Sequence, residues 1–337
     1  MSFLSRILTG TALAVGLAAV ALPAAAKEYR IAVGDGAGGT QEALGKAFIA
    51  ALEEKSGGEM TAKLFLNGQL GDEQDTVTAA ATGTLDFSIL AINNITPFSP
   101  TVGTLTLPYV ILSLEDAEKL TQGSLGDTLT EQTIEAAGVR ILGWSYSGFR
   151  VLTNSKHPVA TVADLADLKI RVPKNEIMIA SYQSWGINPV PMAWTETFAA
   201  LQQKVIDGQD NPFMTVYSMK FDEVQTYITT WRYLFSLEPL VISEPLFQSM
   251  TPEQQQMVLD AGHEATLFSA QFLRDEEDRI RDELVSRGME ITEPADDENE
   301  FIELATSKVW PQFLDQIGGV EVLNDALTTL GREPFQP

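Results

Sequence analysis

The chain has no cysteine among its 337 residues, so no disulfide, thiolate metal site or thiol nucleophile enters its chemistry. Histidine is scarce too. His157 and His263 are the only two, which leaves little for a metal centre or a Ser-His-acid triad. Positive charge is sparse: 22 Lys and Arg stand against 46 Asp and Glu, for a formal net charge of −24. Such an acidic chain disfavours nucleic acid, whose phosphates reward basic patches. Beyond residue 26 no apolar run approaches the ~20 residues that span a bilayer, so the mature chain is not expected to cross a membrane.

The first 26 residues stand apart. Arg6 precedes an apolar run, Ile7 to Leu22, and Pro23-Ala24-Ala25-Ala26 supplies an A-x-A cleavage pattern. This reads as a secretory signal peptide cut after Ala26, so the mature protein is expected to be exported. A single arginine there argues against a twin-arginine route. What remains is long enough for two domains, each with its own core.

The mature sequence alternates short β-type runs with helical periodicity, the pattern of an α/β fold with parallel sheet and helices on its faces. Strands are predicted at Tyr29–Val33, Thr61–Leu66, Leu85–Ile92, Val139–Trp144, Arg150–Thr153 and Lys169–Val172, with Ser145–Phe149 separating two of them. Helices are predicted at Thr40–Lys55, Asp72–Thr82 and, briefly, Ala163–Asp167. The longest helical signal starts at Thr251-Pro252-Glu253-Gln254, where threonine can cap, proline suits the first turn and Gln254 completes a capping box. Apolar residues recur from Val258 to Leu284, and Gly288 marks the end. Such a helix spans about 54 Å. It either breaks near residues 274–278 or runs as one brace behind two domains, and the brace is the expectation adopted.

Two catalytic motifs fail on inspection. Gly34-Asp35-Gly36-Ala37-Gly38-Gly39 fits G-x-G-x-x-G between a strand and a helix. However, the second strand runs into Asn67-Gly68-Gln69, without the acidic residue that would hold a ribose. Gly143-Trp144-Ser145-Tyr146-Ser147-Gly148 resembles a hydrolase elbow but lacks the required glycine at 147 and the strand–elbow–helix context. The acidic run Asp296-Asp297-Glu298 lacks calcium-loop spacing and reads as a solvated turn.

One constellation survives. Arg171 lies in a short strand stopped by Pro173. A Gly/Pro-broken strand follows over Gly186–Met192, then Trp194 just before a helix predicted over Thr195–Ile206, then Asn211 in a turn. Arg150 ends the preceding segment. A guanidinium offers a carboxylate two parallel hydrogen bonds, which lysine cannot imitate. Each charge-assisted bond contributes about 1.5–3 kcal/mol, so a few contacts and an aromatic wall reach the roughly −8 kcal/mol of micromolar binding. Taken alone, an arginine in a strand more often serves a surface ion pair, and a lone tryptophan more often serves a core.

The chain resembles the periplasmic solute-binding subunits of tripartite ATP-independent (TRAP) transporters. The shared features include Gln69-Leu70-Gly71, Gly83-Thr84-Leu85-Asp86, Leu107-Pro108-Tyr109, Asn154-Ser155-Lys156-His157-Pro158 and Leu168-Lys169-Ile170-Arg171-Val172-Pro173. They continue through Pro189-Val190-Pro191-Met192, Asp207-Gly208-Gln209-Asp210-Asn211-Pro212 and Lys220-Phe221-Asp222-Glu223-Val224-Gln225, and the block from 169 to 225 is the most specific. The resemblance implies that Arg171 pairs with a ligand carboxylate, that Asn211 lies beside it, that Arg150 is a second cleft arginine and that Trp194 covers the ligand. Relatives that bind sialic acid carry an acidic residue after the Leu85-Asp86-Phe87 strand. Here Ser88–Asn93 has none, which disfavours that substrate. Trp194 stands where that branch has a smaller phenylalanine, implying a tighter pocket. Across the cleft, Asp35 and Asn93 are the candidates for reading the rest of the ligand, although Asp35 could equally serve only its turn.

The expected fold is a two-domain α/β binding protein of the Venus-flytrap kind, with residues 27–147 plus 237–276 in domain one and 148–236 plus 277–337 in domain two. The implied function is capture of a small organic carboxylate between the domains, whether a dicarboxylate, a hydroxy or keto acid, a sugar acid or a zwitterion using Asp35, and its delivery to TRAP membrane subunits driven by an ion gradient. No cofactor, metal or catalysis is expected. The alternatives are a binding protein for an ATP-driven importer and an exported dinucleotide-dependent oxidoreductase.

Overall fold

A computed structural model describes residues 27–337, and the signal peptide expected over residues 1–26 lies outside the described residues. The chain begins with β1 (Lys27–Val33), which pairs in parallel with β2 (Met60–Phe65) and β3 (Phe87–Ile89). Between β1 and β2 runs α1 (Thr40–Lys55), whose Leu44, Phe48, Ala51 and Leu52 recur at helical spacing and are buried, Phe48 against Phe87. The second connection carries α2 (Glu73–Ala81). The remaining strands are β4 (Val139–Asn154), β5 (Ile170–Val172), β6 (Val190–Pro191), β7 (Gly208–Pro212), β8 (Tyr227–Thr229), β9 (Phe235–Ser243) and β10 (Glu290–Thr292).

The strand order is β2-β1-β3-β9-β4-β7-β5-β6, with β8 joining β4 to β10. The sheet is mixed rather than wholly parallel. β9 is antiparallel to β3 and β4, and β4 is antiparallel to β7 and β8. These two strands are the shared spine. Residues 139–149 of β4 pair with β9, whereas residues 150–154 pair with β7 and β8 in the other half.

β4 corrects the expectation of two strands split at Ser145–Phe149, because it runs unbroken through all 16 residues. The Ser/Gly content that suggested a break instead marks close packing. Register shifts fall at Ile141/Gly143 and Tyr146/Gly148. Gly148 sits at φ +88°, with Glu277 Oε1 2.4 Å from where a Cβ would be, so no other residue fits there easily.

The long helix is continuous from Pro252 to Ser286, with the Thr251/Gln254 capping box at its start and no break near 274–278. Its buried face is built of small residues, including Ala261, Gly262, Ala265, Thr266, Ser269 and Ala270. They let the helix lie almost backbone to backbone on β4. A Cβ on Gly262 would stand 2.2 Å from the Leu142 carbonyl oxygen. The Trp144 and Tyr146 amides of β4 donate to Thr266 Oγ1 (2.8 Å) and Ser269 Oγ (3.0 Å), which ties the brace to the spine through hydrogen bonds as well as contact.

Other expected elements are shorter than their patterns. The Leu85–Ile92 strand contracts to β3, followed by a 3₁₀ turn over Ile92–Asn94. Gly186–Met192 contributes only β6, because Pro189 and Pro191 lack the N–H that a ladder needs. The Thr195–Ile206 helix divides into a 3₁₀ turn at Trp194–Glu196 and a helix over Thr197–Gln202. Ala163–Asp167 becomes a 3₁₀ turn over Val162–Leu165. Asn211 lies in β7, paired opposite Val151, and not in a turn.

Candidate functional site

Arg150, Arg171, Trp194 and Asn211 from one half of the molecule, and Asp35 and Asn93 from the other, line a single slot. Sheet topology brings them together. β4, β5 and β7 are neighbours, so their arginines and asparagine share one end of the sheet, while the β1–α1 loop and the turn after β3 face them. The lining also includes Gln41, Glu73, Asn94 and Glu238, none of which the motifs singled out. The walls leave only ≈ 10 Å³ free, about the space of a single water.

Each arginine is held along one edge and offers what remains. Arg171 donates from Nε (3.1 Å) and Nη2 (2.8 Å) to the Met192 carbonyl, and its guanidinium lies 5.3 Å from the Trp194 ring. The side fork is therefore taken, which leaves the Nη1 end for a ligand. Burial, then the proximity of Arg150, lowers the Arg171 pKa to about 10, so it remains cationic at neutral pH. Arg150 donates from Nε (3.2 Å) and Nη2 (3.3 Å) to the Asp210 carboxylate, and Tyr233 donates to the same carboxylate. Burial opposes the Arg150 charge, yet Asp210 and Tyr233 raise its pKa. Arg150 thus arrives neutralised, with Nη1 to spare. The amide of Asn211 donates to Gln209 Oε1 (2.6 Å), which holds its side chain in the slot wall.

The opposite wall is acidic. Asp35 accepts from Thr215 Oγ1 (3.0 Å) across the cleft, and its own amide donates to Gln41 Oε1 (3.0 Å). Burial raises its pKa to about 6, opposed by Thr215 and Arg150. Glu73 accepts from the Ala91 amide (3.1 Å) and from Asn94 Nδ2, yet burial, then the neighbouring Asp35, pushes it to about 8. Glu238, on β9, accepts from Thr40 Oγ1 (3.1 Å), and burial followed by Asp35 raises it well above the carboxylate range. One buried N–H donor here, Asn93 Nδ2, has no hydrogen-bond partner, and the Trp194 indole N–H is directed at Asp35.

Further contacts join the two halves. Asp72 Oδ1 accepts from the Trp194 (2.9 Å) and Thr195 (3.4 Å) amides, and Asn175 Nδ2 donates to the Asn93 carbonyl (2.9 Å). Such bonds tie the two sides of the slot together.

The competing motifs find no support. A Cβ on Gly34 would lie 2.6 Å from Glu73 Oε1, so the glycine-rich loop packs on a carboxyl group, a poor neighbour for a pyrophosphate. Ser145 and Ser147 lie within β4 and not on an elbow, and the Ser147 hydroxyl is engaged by Thr40.

Residues 37–316 match the family described as bacterial extracellular solute-binding protein, family 7. The 2,3-diketo-L-gulonate-binding periplasmic protein of Escherichia coli K12 is 32% identical over 252 residues, covering 75% of this chain and 76% of that protein. Among solved structures, a TRAP periplasmic solute-binding protein from Rhodobacter sphaeroides, described as apo, open and partially disordered, is 38% identical with a TM-score of 0.74, covering 90% of this chain and 98% of that one. Another from Polaromonas, bound to D-erythronate, is 26% identical with a TM-score of 0.84, covering 89% and 97%.

Proposed function

The chain belongs to bacterial extracellular solute-binding protein family 7, and on that premise we propose that it binds a hydroxylated monocarboxylate in the slot between its halves. Arg171 anchors the carboxylate through its Nη1 end, Asn211 and Arg150 flank it, and Trp194 covers it. Asp35 and Asn93 read the hydroxyls from the facing wall. The observation that carries this reading is the convergence of these six residues, drawn from both halves, on one buried slot. The hydroxy-acid and keto-acid ligands in the names of the E. coli and Polaromonas relatives support the ligand class.

Domain one comprises residues 27–147 with 237–276, and domain two 148–236 with 277–337, hinged on β4 and β9. The narrow slot admits such an acid only when the walls part, so binding is a capture by closure. Closure follows the ligand only through contacts better made in the closed form, which this two-walled site supplies. The better shape match to the ligand-bound relative than to the more similar open one supports that arrangement. The protein is exported with cleavage after Ala26 and hands its ligand to TRAP membrane subunits.

A thermal-shift panel of D-erythronate, L-galactonate and the corresponding neutral alditols tests the assignment. The acids should raise the melting temperature and the alditols should leave it unchanged. Stabilisation by the alditols alone would overturn the carboxylate reading.

A further inference from the structure

The slot gathers more negative charge than an anion binder needs. Two guanidiniums, Arg150 and Arg171, are set among four buried carboxyls, Asp35, Glu73, Asp210 and Glu238. Were all four acids ionised, the closed site would carry two negative charges in excess before any anion entered. Asp210 is committed to Arg150, so the imbalance rests on the other three acids. These are not arranged to share a metal ion, since no His, Cys, Asp or Glu group among the described residues is. Bringing an anion into this closed space requires the charge to be compensated some other way.

We propose that the site takes up its carboxylate together with at least one proton, which the Asp35–Glu73–Glu238 cluster accepts as the walls close, and that it therefore selects monoanions over dianions. The inference rests on the carboxylate reading above. The hydrogen bonding accommodates the proton. The Glu238 partner is a hydroxyl, Thr40, which in turn touches Ser147, and hydroxyls can accept as readily as donate. A protonated Glu238 therefore keeps its bonds. Glu73 has N–H partners from Ala91 and Asn94, which favour its ionised form and oppose burial. The proton accordingly belongs to the coupled cluster rather than to one residue.

The other groups facing the cluster do not remove the need for it. Asp72 at the start of α2 adds negative charge, Arg171 and Arg150 approach from β5 and β4, and Tyr233 and Asp210 stand behind Arg150. Glu277 of the long helix packs at Gly148. The raised pKa values of Asp35 and Glu73, about 6 and about 8, agree in direction. In an open, solvated cleft these acids return toward their ordinary range. Closure is thus unimpeded below that range and is progressively opposed as pH rises through the raised values. Affinity should fall with pH.

Isothermal titration of D-erythronate at about pH 7.5 in phosphate and in Tris measures the proton directly, because the two buffers differ in ionisation enthalpy. The expected result is a buffer-dependent enthalpy corresponding to uptake of about one proton. Affinity should fall up to about tenfold per pH unit between about pH 6 and 8.5. Tartrate, a dianion of the same carbon count, should bind at least about tenfold more weakly than D-erythronate. Binding with equal enthalpy in both buffers, or tartrate binding as tightly, would overturn the inference while leaving the carboxylate reading intact. Failure of D-erythronate and L-galactonate to bind at any pH would remove that reading and the inference with it. Glu238→Gln, a neutral mimic, should bind with reduced proton uptake, and the wild-type measurement stands even if that variant does not fold.

Discussion

The two walls of the slot solve the burial of charge in opposite ways. The wall built on β4, β5 and β7 carries its compensation with it: Arg150 is paired to Asp210, and Arg171 is held by the Met192 carbonyl and flanked by Trp194. The wall built from the β1–α1 loop, α2 and β9 brings Asp35, Glu73 and Glu238 together with no lysine or arginine of its own in the slot. One wall is a preformed anion site. The other becomes comfortable only when protons, or the cations opposite, approach it. This asymmetry suits a protein that must both grip an anion and let it go.

Removing a carboxylate from each wall should break the comparison if it is wrong. Asp210→Ala leaves the Arg150 charge buried without a partner, which costs about 3–5 kcal/mol, to be read from urea unfolding of the ligand-free protein. On the acidic wall the sign reverses. Glu238→Gln removes a carboxyl whose pKa is raised by burial and by Asp35. A raised carboxyl adds no cost below its ordinary range and an increasing one as pH climbs toward the raised value. Measured on the closed, ligand-bound protein, the variant should therefore match the wild type at acidic pH and gain on the order of 1 kcal/mol at mildly alkaline pH. Loss of stability at every pH would show that Glu238 is a structural anchor and that the walls are not opposites.

The same asymmetry marks what the sequence disclosed. The cationic wall was legible because arginine, tryptophan and asparagine stood beside Pro and Gly punctuation in a segment with a specific family pattern, from Arg171 to Asn211. Glu73 gave no signal, since an acid in the first turn of a helix is ordinary helix chemistry. Glu238 did leave a trace: a lone charge inside the apolar strand Phe-Ser-Leu-Glu-Pro-Leu-Val-Ile-Ser, all of it buried. A charge there needs a reason. The fold was readable where periodicity was strong, as in α1 and the long helix. It was misread where serine and glycine served packing, as in β4 over Ser145–Phe149. Whether Asn211 sits in strand or turn is decided by its pairing with Val151, a contact 60 residues away in sequence, and no local pattern encodes that.

The central claim is that one guanidinium, Arg171, anchors a ligand carboxylate. The most direct measurement is the dissociation constant of D-erythronate for the wild type and for Arg171→Lys, by titration calorimetry at a single pH of about 6.5, so that proton uptake is common to both proteins. Lysine keeps the charge and loses the planar donor pair. The account predicts a loss of about 10- to 100-fold, equivalent to one or two charge-assisted hydrogen bonds. An unchanged dissociation constant in a folded Arg171→Lys protein would contradict it.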